Sequence, residues 1–107
     1  MSFSKFDLTG RSAVVIGGTS GIGRAIAHGL AEAGADVVCT SRRQEQVDIA
    51  AAEIEAKDRK TLRIVTDLSE RLSLENLLNE CVYAFVKVDI LINSAGRRKR
   101  ETTLTIE

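Results

Sequence analysis

The fold is decided by one stretch of sequence, Ala13-Val14-Val15-Ile16-Gly17-Gly18-Thr19-Ser20-Gly21-Ile22-Gly23. Its four leading apolar residues predict a buried strand, and the amphipathic residues after Gly23 predict a helix. The glycines between them form the pattern G-x-x-x-G-x-G. Glycine permits a sharp turn and lets a diphosphate approach backbone N–H groups at the positive end of a helix. The stretch therefore predicts a phosphate-binding turn, with a tight turn that binds no ligand as the alternative.

Two better-known nucleotide motifs do not fit this turn. The fingerprint G-x-G-x-x-G would begin at Gly21, and its last position is occupied by Ile26. A P-loop would begin at Gly18, which places Arg24 at its lysine and Ala25 at its metal-binding hydroxyl. Alanine cannot bind a metal ion, so a nucleoside triphosphate site of that kind is excluded.

The rest of the chain alternates short β-branched runs with longer amphipathic stretches. The predicted strands span residues 12–17, 36–41, 61–66 and 88–93, and the predicted helices span residues 21–34, 44–57 and 70–87. This β-α-β-α-β-α-β order predicts an α/β fold, a doubly wound parallel sheet of Rossmann type with strand order 3-2-1-4. The tail from Ser94 to Glu107 shows no clear periodicity, so we expect the fourth strand to have an open edge. Residues 1–107 are interpreted as one partial domain.

Composition excludes several classes of protein. The 107 residues contain 15 Lys and Arg against 15 Asp and Glu, and this zero net charge excludes a general nucleic-acid-binding protein. No apolar run approaches the ~20 residues that span a bilayer, and the first residues lack the apolar core of a secretory signal. Cys39 and Cys81 lie far apart, and the single histidine, His28, is expected on an exposed helix face. We therefore expect a cytoplasmic protein with reduced core thiols, no metal site and no nucleic-acid or membrane partner.

Four segments resemble, in order and spacing, those of the classical short-chain dehydrogenase/reductase family. The glycine turn resembles its cofactor loop, and Leu8-Thr9-Gly10-Arg11 resembles the lead-in to that loop. Thr66-Asp67-Leu68 resembles its adenine-contacting element, and Leu91-Ile92-Asn93-Ser94-Ala95-Gly96 resembles its Asn-Asn-Ala-Gly element. The resemblance implies an oxidoreductase that transfers hydride between a nicotinamide dinucleotide and a small carbonyl or alcohol. Members of that family are longer and usually homo-oligomeric, so this chain resembles their N-terminal, cofactor-binding half.

Four positions depart from the family pattern. Ile16 stands where threonine is usual, and Ser94 replaces the second asparagine of Asn-Asn-Ala-Gly. Asp58 and Val86 stand where relatives often have glycine, in the turns before two strands. We expect these changes to reduce local order rather than to change the ligand.

The resemblance implies a set of cofactor-binding residues. In it, Asp67 accepts a hydrogen bond from the adenine amino group, Leu68 flanks the ring, and Asn93 and Gly96 border the nicotinamide ribose. A helix N-cap is the alternative role for Asp67, and a strand-end hydrogen bond is the alternative for Asn93. The full set is Gly17, Thr19, Ser20, Gly21, Ile22, Gly23, Ser41, Arg42, Asp67, Leu68, Asn93, Ala95 and Gly96.

The end of the second strand predicts which dinucleotide binds. NAD-binding folds place a carboxylate here to hold the ribose 2′-hydroxyl. Ser41 lies 18 positions after Gly23 and is followed by Arg42 and Arg43, with no acidic residue among them. Because a guanidinium can bind a 2′-phosphate through paired charge-assisted hydrogen bonds, we expect NADP(H) to be preferred over NAD(H). Solvated loop charges are the alternative.

No catalytic residue is assigned. The resemblance implies a serine and a Tyr-x-x-x-Lys pair that follow the Asn-Asn-Ala-Gly element, whereas the match here, Tyr83 to Lys87, precedes Asn93. Tyr83 is expected on the solvent face of its helix. The basic run Arg97-Arg98-Lys99-Arg100 is interpreted as a solvated loop, with a nuclear address or a patch that contacts phosphate as the alternatives. The chain is expected to be inactive alone. A catalytically silent dinucleotide-binding fragment and an unstable truncated product are the alternatives to an oxidoreductase.

Overall fold

A computed structural model describes residues 7–95 and 103–106 of the chain. These residues form a four-stranded sheet with helices on both faces. The chain order is β1 (Ser12–Ile16), α1 (Gly21–Glu32), β2 (Asp36–Thr40), α2 (Gln44–Glu55), α3 (Arg71–Phe85), β3 (Ile90–Asn93) and β4 (Thr103–Ile106). The strand order is β2-β1-β3-β4, in which β1 pairs in parallel with β2 and β3. The predicted Rossmann-type α/β fold is therefore confirmed.

Strand β1 lies at the centre of the fold because all five of its residues are buried. Val14 lies opposite Val38 on one side and Leu91 on the other. A strand covered by helices on both faces needs apolar side chains at every position, and this explains the continuous β-branched run. Val15 packs on the face covered by α1 and α2, whereas Val14 packs with Leu77 of α3 on the opposite face.

The predicted third strand does not form as a strand. Residues 61–66 run beside β2 in the expected direction, since Val37 N donates to Lys60 O (3.1 Å) and Thr66 N donates to Ser41 O (2.9 Å). Between these two ends, the Thr40 hydroxyl bonds the Ile64 carbonyl oxygen, so a side chain replaces the backbone ladder. The predicted order 3-2-1-4 thus places this segment correctly beside β2, but the segment is not a strand.

The expectation of an open edge beside the predicted fourth strand is also wrong. That strand is β3, and β4 pairs with it in antiparallel register, with Leu91 opposite Thr105. The tail Thr103-Leu104-Thr105-Ile106 alternates polar and apolar residues, which is the signal of a strand with one buried face. Four residues are too few for that signal to stand out without the partner strand.

Two turns place residues other than glycine at positive φ. Asp58, in the turn that follows α2, has φ of 62°, and Val86, which ends α3, has φ of 76°. These are the two positions at which glycine was expected from the resemblance. A β-branched residue at such a φ is a strained exception, so Val86 carries the greater cost.

Among the helices of the part that the structure describes, none is long and apolar enough to cross a membrane.

Candidate functional site

A cleft of about 490 Å³ opens at the edge of the sheet where β1 and β2 end. Parallel strands end at the same edge, so the loops that follow them converge there. The cleft is lined by Ile16, Gly17, Ser41, Arg42, Thr66, Asp67, Leu68, Ser69 and Ala95. Six of these belong to the predicted cofactor-binding set: Gly17, Ser41, Arg42, Asp67, Leu68 and Ala95. Four segments separated in the sequence thus meet around one space.

The glycine turn leaves no room for a side chain at three positions, Gly17, Gly18 and Gly23. A Cβ atom on Gly17 would lie 2.8 Å from the Ala95 nitrogen, and one on Gly23 would lie 2.9 Å from Ser94 Oγ and still closer to the Gly17 carbonyl oxygen. Contacts this short force the backbone to move. The turn is therefore packed tightly between its own backbone and the segment after β3.

The start of α1 presents backbone N–H groups without a side-chain cap. Ser20 is the N-cap residue and makes no side-chain cap hydrogen bond, and the first turn holds no acidic side chain. The first N–H groups of a helix have no partner within the helix and carry partial positive charge, so they favour an anion. The predicted residues Thr19, Ser20, Gly21, Ile22 and Gly23 form this turn and do not line the cleft itself.

The end of β2 places an unsatisfied hydroxyl beside a positive charge. Ser41 Oγ is buried and has no hydrogen-bond partner among the described residues. Arg42 follows it with an exposed side chain, and both residues line the cleft. A buried hydroxyl without a partner costs ~1–3 kcal/mol, so this position favours a ligand that can accept its hydrogen bond.

The Asp67 side chain is held by hydrogen bonds within its own loop and does not cap a helix. Its Oδ1 accepts hydrogen bonds from Ser69 Oγ (2.7 Å) and Ser69 N (3.0 Å). These two bonds, with a smaller contribution from the charge of Arg42, lower the pKa of the Asp67 carboxyl. Helix α3 starts later, with Glu70 as its N-cap residue, so the N-cap alternative for Asp67 is wrong.

The residues after β3 pack onto the glycine turn. Ser94 N donates to Ile16 O (2.7 Å), and Asn93 Oδ1 accepts from Ala95 N (3.0 Å). Asn93 thus makes the strand-end hydrogen bond that was its alternative role, and it does not line the cleft. Gly96 and the basic run that follows it lie outside the described residues.

Three residues that line the cleft were absent from the predicted set: Ile16, Thr66 and Ser69. Each lies next to, or one position beyond, a predicted segment in the sequence. Ile16 is the last residue of β1 and Thr66 is the last residue of the predicted third strand, and strand ends share an edge with the loops that follow them. Ser69 lies within a loop, and its only sequence signal is that it follows the predicted residue Leu68.

The Tyr-x-x-x-Lys match lies far from the cleft. Tyr83 is 91% exposed on α3, as expected. Lys87 Nζ donates to Gly10 O (3.0 Å) and pairs with Asp89, whose carboxylate also accepts from Ser12 N (2.9 Å) and lies 3.6 Å from Arg11 Nη1. These groups cluster where β1 and β3 begin, about 15 Å from the ends of the strands. The pair therefore cannot reach a ligand in the cleft.

The two cysteines are buried in different parts of the core. Cys39 packs on the face of α1 and α2, and Cys81 packs on the face of α3. Burial raises the pKa of the Cys39 thiol to about 12 and that of Cys81 to about 11, so both stay protonated at neutral pH. Within residues 7–95, no group of three His, Cys, Asp or Glu side chains is arranged to hold a metal ion.

Known proteins resemble this chain along most of its length. A short chain dehydrogenase of Pseudocercospora fijiensis is 38% identical over 89 residues, covering 83% of this chain and 29% of that protein. An NAD-dependent glycerol dehydrogenase of Listeria innocua is 36% identical over 100 residues, covering 90% of this chain and 38% of that protein. The crystal structure of a short chain dehydrogenase from Burkholderia cenocepacia in complex with NADP superimposes with a TM-score of 0.79 at 40% identity, covering 84% of this chain and 37% of that one.

These matches cover most of this chain but less than half of each relative. This chain spans between 29% and 40% of the length of the curated relatives that it matches. In the other direction, the sequence model of the short chain dehydrogenase family matches residues 11–107. That match includes the glycine turn, the end of β2 and the segment after β3. This chain accordingly belongs to the short-chain dehydrogenase family of oxidoreductases.

Proposed function

We propose that this chain is the cofactor-binding part of an NADP(H)-dependent oxidoreductase, a partial dinucleotide-binding domain over residues 1–107. The complete protein would transfer hydride between the nicotinamide ring and a small carbonyl or alcohol. When bound, the dinucleotide would donate or accept that hydride, and the residues of this chain would bind and orient it. Family membership supports the coarser part of this proposal, and the cleft supports the choice of dinucleotide.

The observation that carries the proposal is that Ser41 and Arg42, at the end of β2, both line the cleft. The unpartnered Ser41 hydroxyl can donate to a phosphate oxygen, and the Arg42 guanidinium can form two charge-assisted hydrogen bonds with the same group. No acidic residue lies between Thr40 and Arg43 to hold a ribose 2′-hydroxyl or to repel a 2′-phosphate. These groups fit NADP(H) better than NAD(H).

The remaining predicted residues are proposed to bind the rest of the dinucleotide. The uncapped N–H groups of Gly21, Ile22 and Gly23 would hold the pyrophosphate, because a helix N-terminus favours an anion. Asp67 has a carboxylate oxygen, Oδ2, outside its two bonds to Ser69, and this oxygen is suited to the adenine amino group. Asn93, Ala95 and Gly96 are proposed to border the nicotinamide ribose.

A binding titration tests the choice of dinucleotide. We expect calorimetry to show tighter binding of NADP⁺ than of NAD⁺ by about tenfold or more, since charge-assisted hydrogen bonds contribute ~1.5–3 kcal/mol. Arg42→Ala should remove this difference, and Ser41→Asp should shift the preference toward NAD⁺. Arg43→Ala is the matched control and should leave both affinities unchanged. Tighter binding of NAD⁺ by the unaltered chain would refute the proposal.

A catalytically silent dinucleotide-binding module is the second candidate. The position of Tyr83 and Lys87, away from the cleft, favours it for these 107 residues alone. We expect the purified chain to bind NADPH without oxidising it in the presence of a carbonyl compound. Steady oxidation of NADPH coupled to carbonyl reduction, abolished by Tyr83→Phe, would show that this placement of the pair is wrong.

A further inference from the structure

A cluster of charged side chains joins α1 to α2 beside the glycine turn. Arg24 donates two hydrogen bonds to Glu53, from Nε to Oε1 (3.0 Å) and from Nη2 to Oε2 (2.7 Å). His28 Nε2 lies 3.0 Å from Glu53 Oε1, and its half-buried position corrects the expectation that His28 is exposed. We refer to Arg24, His28 and Glu53 as the Glu53 cluster.

The Glu53 cluster connects the first turn of α1 to α2 through Arg24. Arg24 is the residue immediately after Gly21-Ile22-Gly23, and its backbone N donates to Ser20 O (3.2 Å). The usual means of holding this turn is absent from the described structure, because Ser20 makes no side-chain cap hydrogen bond. A second contact between the turn and α2, from Thr19 Oγ1 to Gln46 Oε1, is long at 3.4 Å. The paired bonds of Arg24 to Glu53 are therefore the strongest side-chain contact between the turn and α2.

The cluster also decides where the positive charge of Arg24 lies. Arg24 is close in sequence to an uncapped helix N-terminus that favours anions, yet its guanidinium is bound to α2 and does not line the cleft. The hydrogen bonds from Arg24, and secondarily that from His28, lower the pKa of the Glu53 carboxyl to about 2. Glu53 is thus ionised at neutral pH and keeps the guanidinium in place.

We propose that Glu53 is a positioning residue for dinucleotide binding. It touches no part of the cleft and acts through Arg24, by holding the backbone N–H groups of residues 21–23 in the arrangement that receives the pyrophosphate. A turn built from glycines has little rigidity of its own, so an external contact must supply it. This inference rests on the proposed dinucleotide function.

The test compares Glu53→Gln with Glu55→Gln. Glu55 lies on the same helix and also makes two bonds to an arginine, from Arg63 Nη1 (3.0 Å) and Nη2 (3.1 Å), but it contacts no residue of the glycine turn. Glutamine keeps the shape of the side chain and removes its charge in both variants. We expect Glu53→Gln to weaken NADP⁺ binding about threefold or more, and Glu55→Gln to leave the dissociation constant within a factor of about two. Equal effects of the two variants, or tighter binding by Glu53→Gln, would overturn the proposal.

Hydrogen exchange gives a readout that needs no cofactor. In the free chain, the amides of residues 24–27, which make the first backbone hydrogen bonds of α1, should exchange faster in Glu53→Gln than in Glu55→Gln or the unaltered protein. Unchanged exchange at these amides would contradict the positioning role. If the unaltered chain binds neither dinucleotide, the proposed function fails, and the exchange rates still decide whether Glu53 orders the turn.

Arg24→Gln provides the second variant, because it breaks the same contact from the other side. Arg24→Gln and the double variant with Glu53→Gln should weaken NADP⁺ binding by the same factor as Glu53→Gln alone, since all three lose one contact. Additive losses in the double variant would show that Glu53 does not act through Arg24.

Discussion

At the scale of single residues, Gly23 is the position of the glycine turn least able to accept a side chain. A Cβ there would press against the Gly17 carbonyl oxygen and lie 2.9 Å from Ser94 Oγ. We expect Gly23→Ala to destabilise the chain by ~1–3 kcal/mol, because the backbone of Gly17 and the residues at the end of β3 are packed against Gly23 and cannot move freely. It should also weaken NADP⁺ binding at least about tenfold, by displacing the helix N-terminus that holds the pyrophosphate. Urea unfolding and calorimetry measure the two effects.

Ala25→Ser is the control for that substitution, since it adds one atom at an exposed position of α1. It should leave both the unfolding midpoint and the affinity nearly unchanged. Wild-type affinity in Gly23→Ala would mean that the turn is not the phosphate site.

Val86 is the residue with the least favourable backbone in the described structure. Its φ of 76° is strained for a β-branched side chain, and the side chain is 80% exposed, so little packing offsets the strain. We expect Val86→Gly to stabilise the chain by ~1 kcal/mol, a rise in melting temperature of about 4–8 °C. The same substitution at Val82, inside α3, should instead destabilise by ~1 kcal/mol. A lower melting temperature for Val86→Gly would contradict the assignment of strain.

At the scale of elements, residues 60–66 are held beside β2 by a side chain as well as by backbone hydrogen bonds at their two ends. Thr40 Oγ1 bonds the Ile64 carbonyl oxygen and lies 2.8 Å from Thr66 Oγ1. We expect Thr40→Val, which keeps the shape and removes the hydroxyl, to destabilise the chain by ~1–3 kcal/mol by leaving buried polar atoms without partners. Amides of residues 61–66 should exchange faster, while those of β1 should stay protected. Protection unchanged in residues 61–66 would show that other contacts hold the segment.

At the scale of the whole molecule, acid should weaken the links between elements. The Arg24 and His28 bonds lower the pKa of Glu53 from 4.5 to about 2. The Lys87 hydrogen bond, with Ser12 N and the Arg11 and Lys87 charges, lowers that of the buried Asp89. Because these carboxyl groups have lower pKa values when folded, the stability they contribute is complete above about pH 4.5 and is lost as the pH falls toward 2.

Urea unfolding at several pH values measures this loss. The unaltered chain should lose stability between about pH 5 and pH 2, and Glu53→Gln should lose less over the same range because it lacks one of the carboxyl groups whose pKa is lowered. Glu55→Gln is the control for a carboxyl group that also pairs with an arginine, at an exposed site. Identical pH dependence of the Glu53 variant and the unaltered chain would contradict the shifted pKa of Glu53.

Sequence patterns predicted the elements that local chemistry specifies. The β-branched runs of β1 and β2 are buried on both faces, and such strands show in the sequence as continuous apolar stretches. The helices were predicted from apolar residues that recur at spacings of three and four. Residues 61–66 were wrongly predicted as a strand, and the carbonyl of Ile64 within them is bonded by the side chain of Thr40, on another element, rather than by a backbone N–H group. Strand β4 was missed because its pairing with β3 is a long-range contact that four residues cannot indicate alone.

The sequence by itself determined the places of β1, β2, β3 and the three helices, the glycine turn, and the absence of an acidic residue directly after β2. These depend on the type and spacing of neighbouring residues, which the chain carries in any conformation. Only the tertiary structure decided that Ser41 has a buried hydroxyl without a described partner, that Thr66 and Ser69 border the cleft, and that Glu53 binds Arg24. Those contacts join residues far apart in the sequence. The burial of a side chain and the distance between two side chains are set only once the sheet has brought the ends of its strands to one edge.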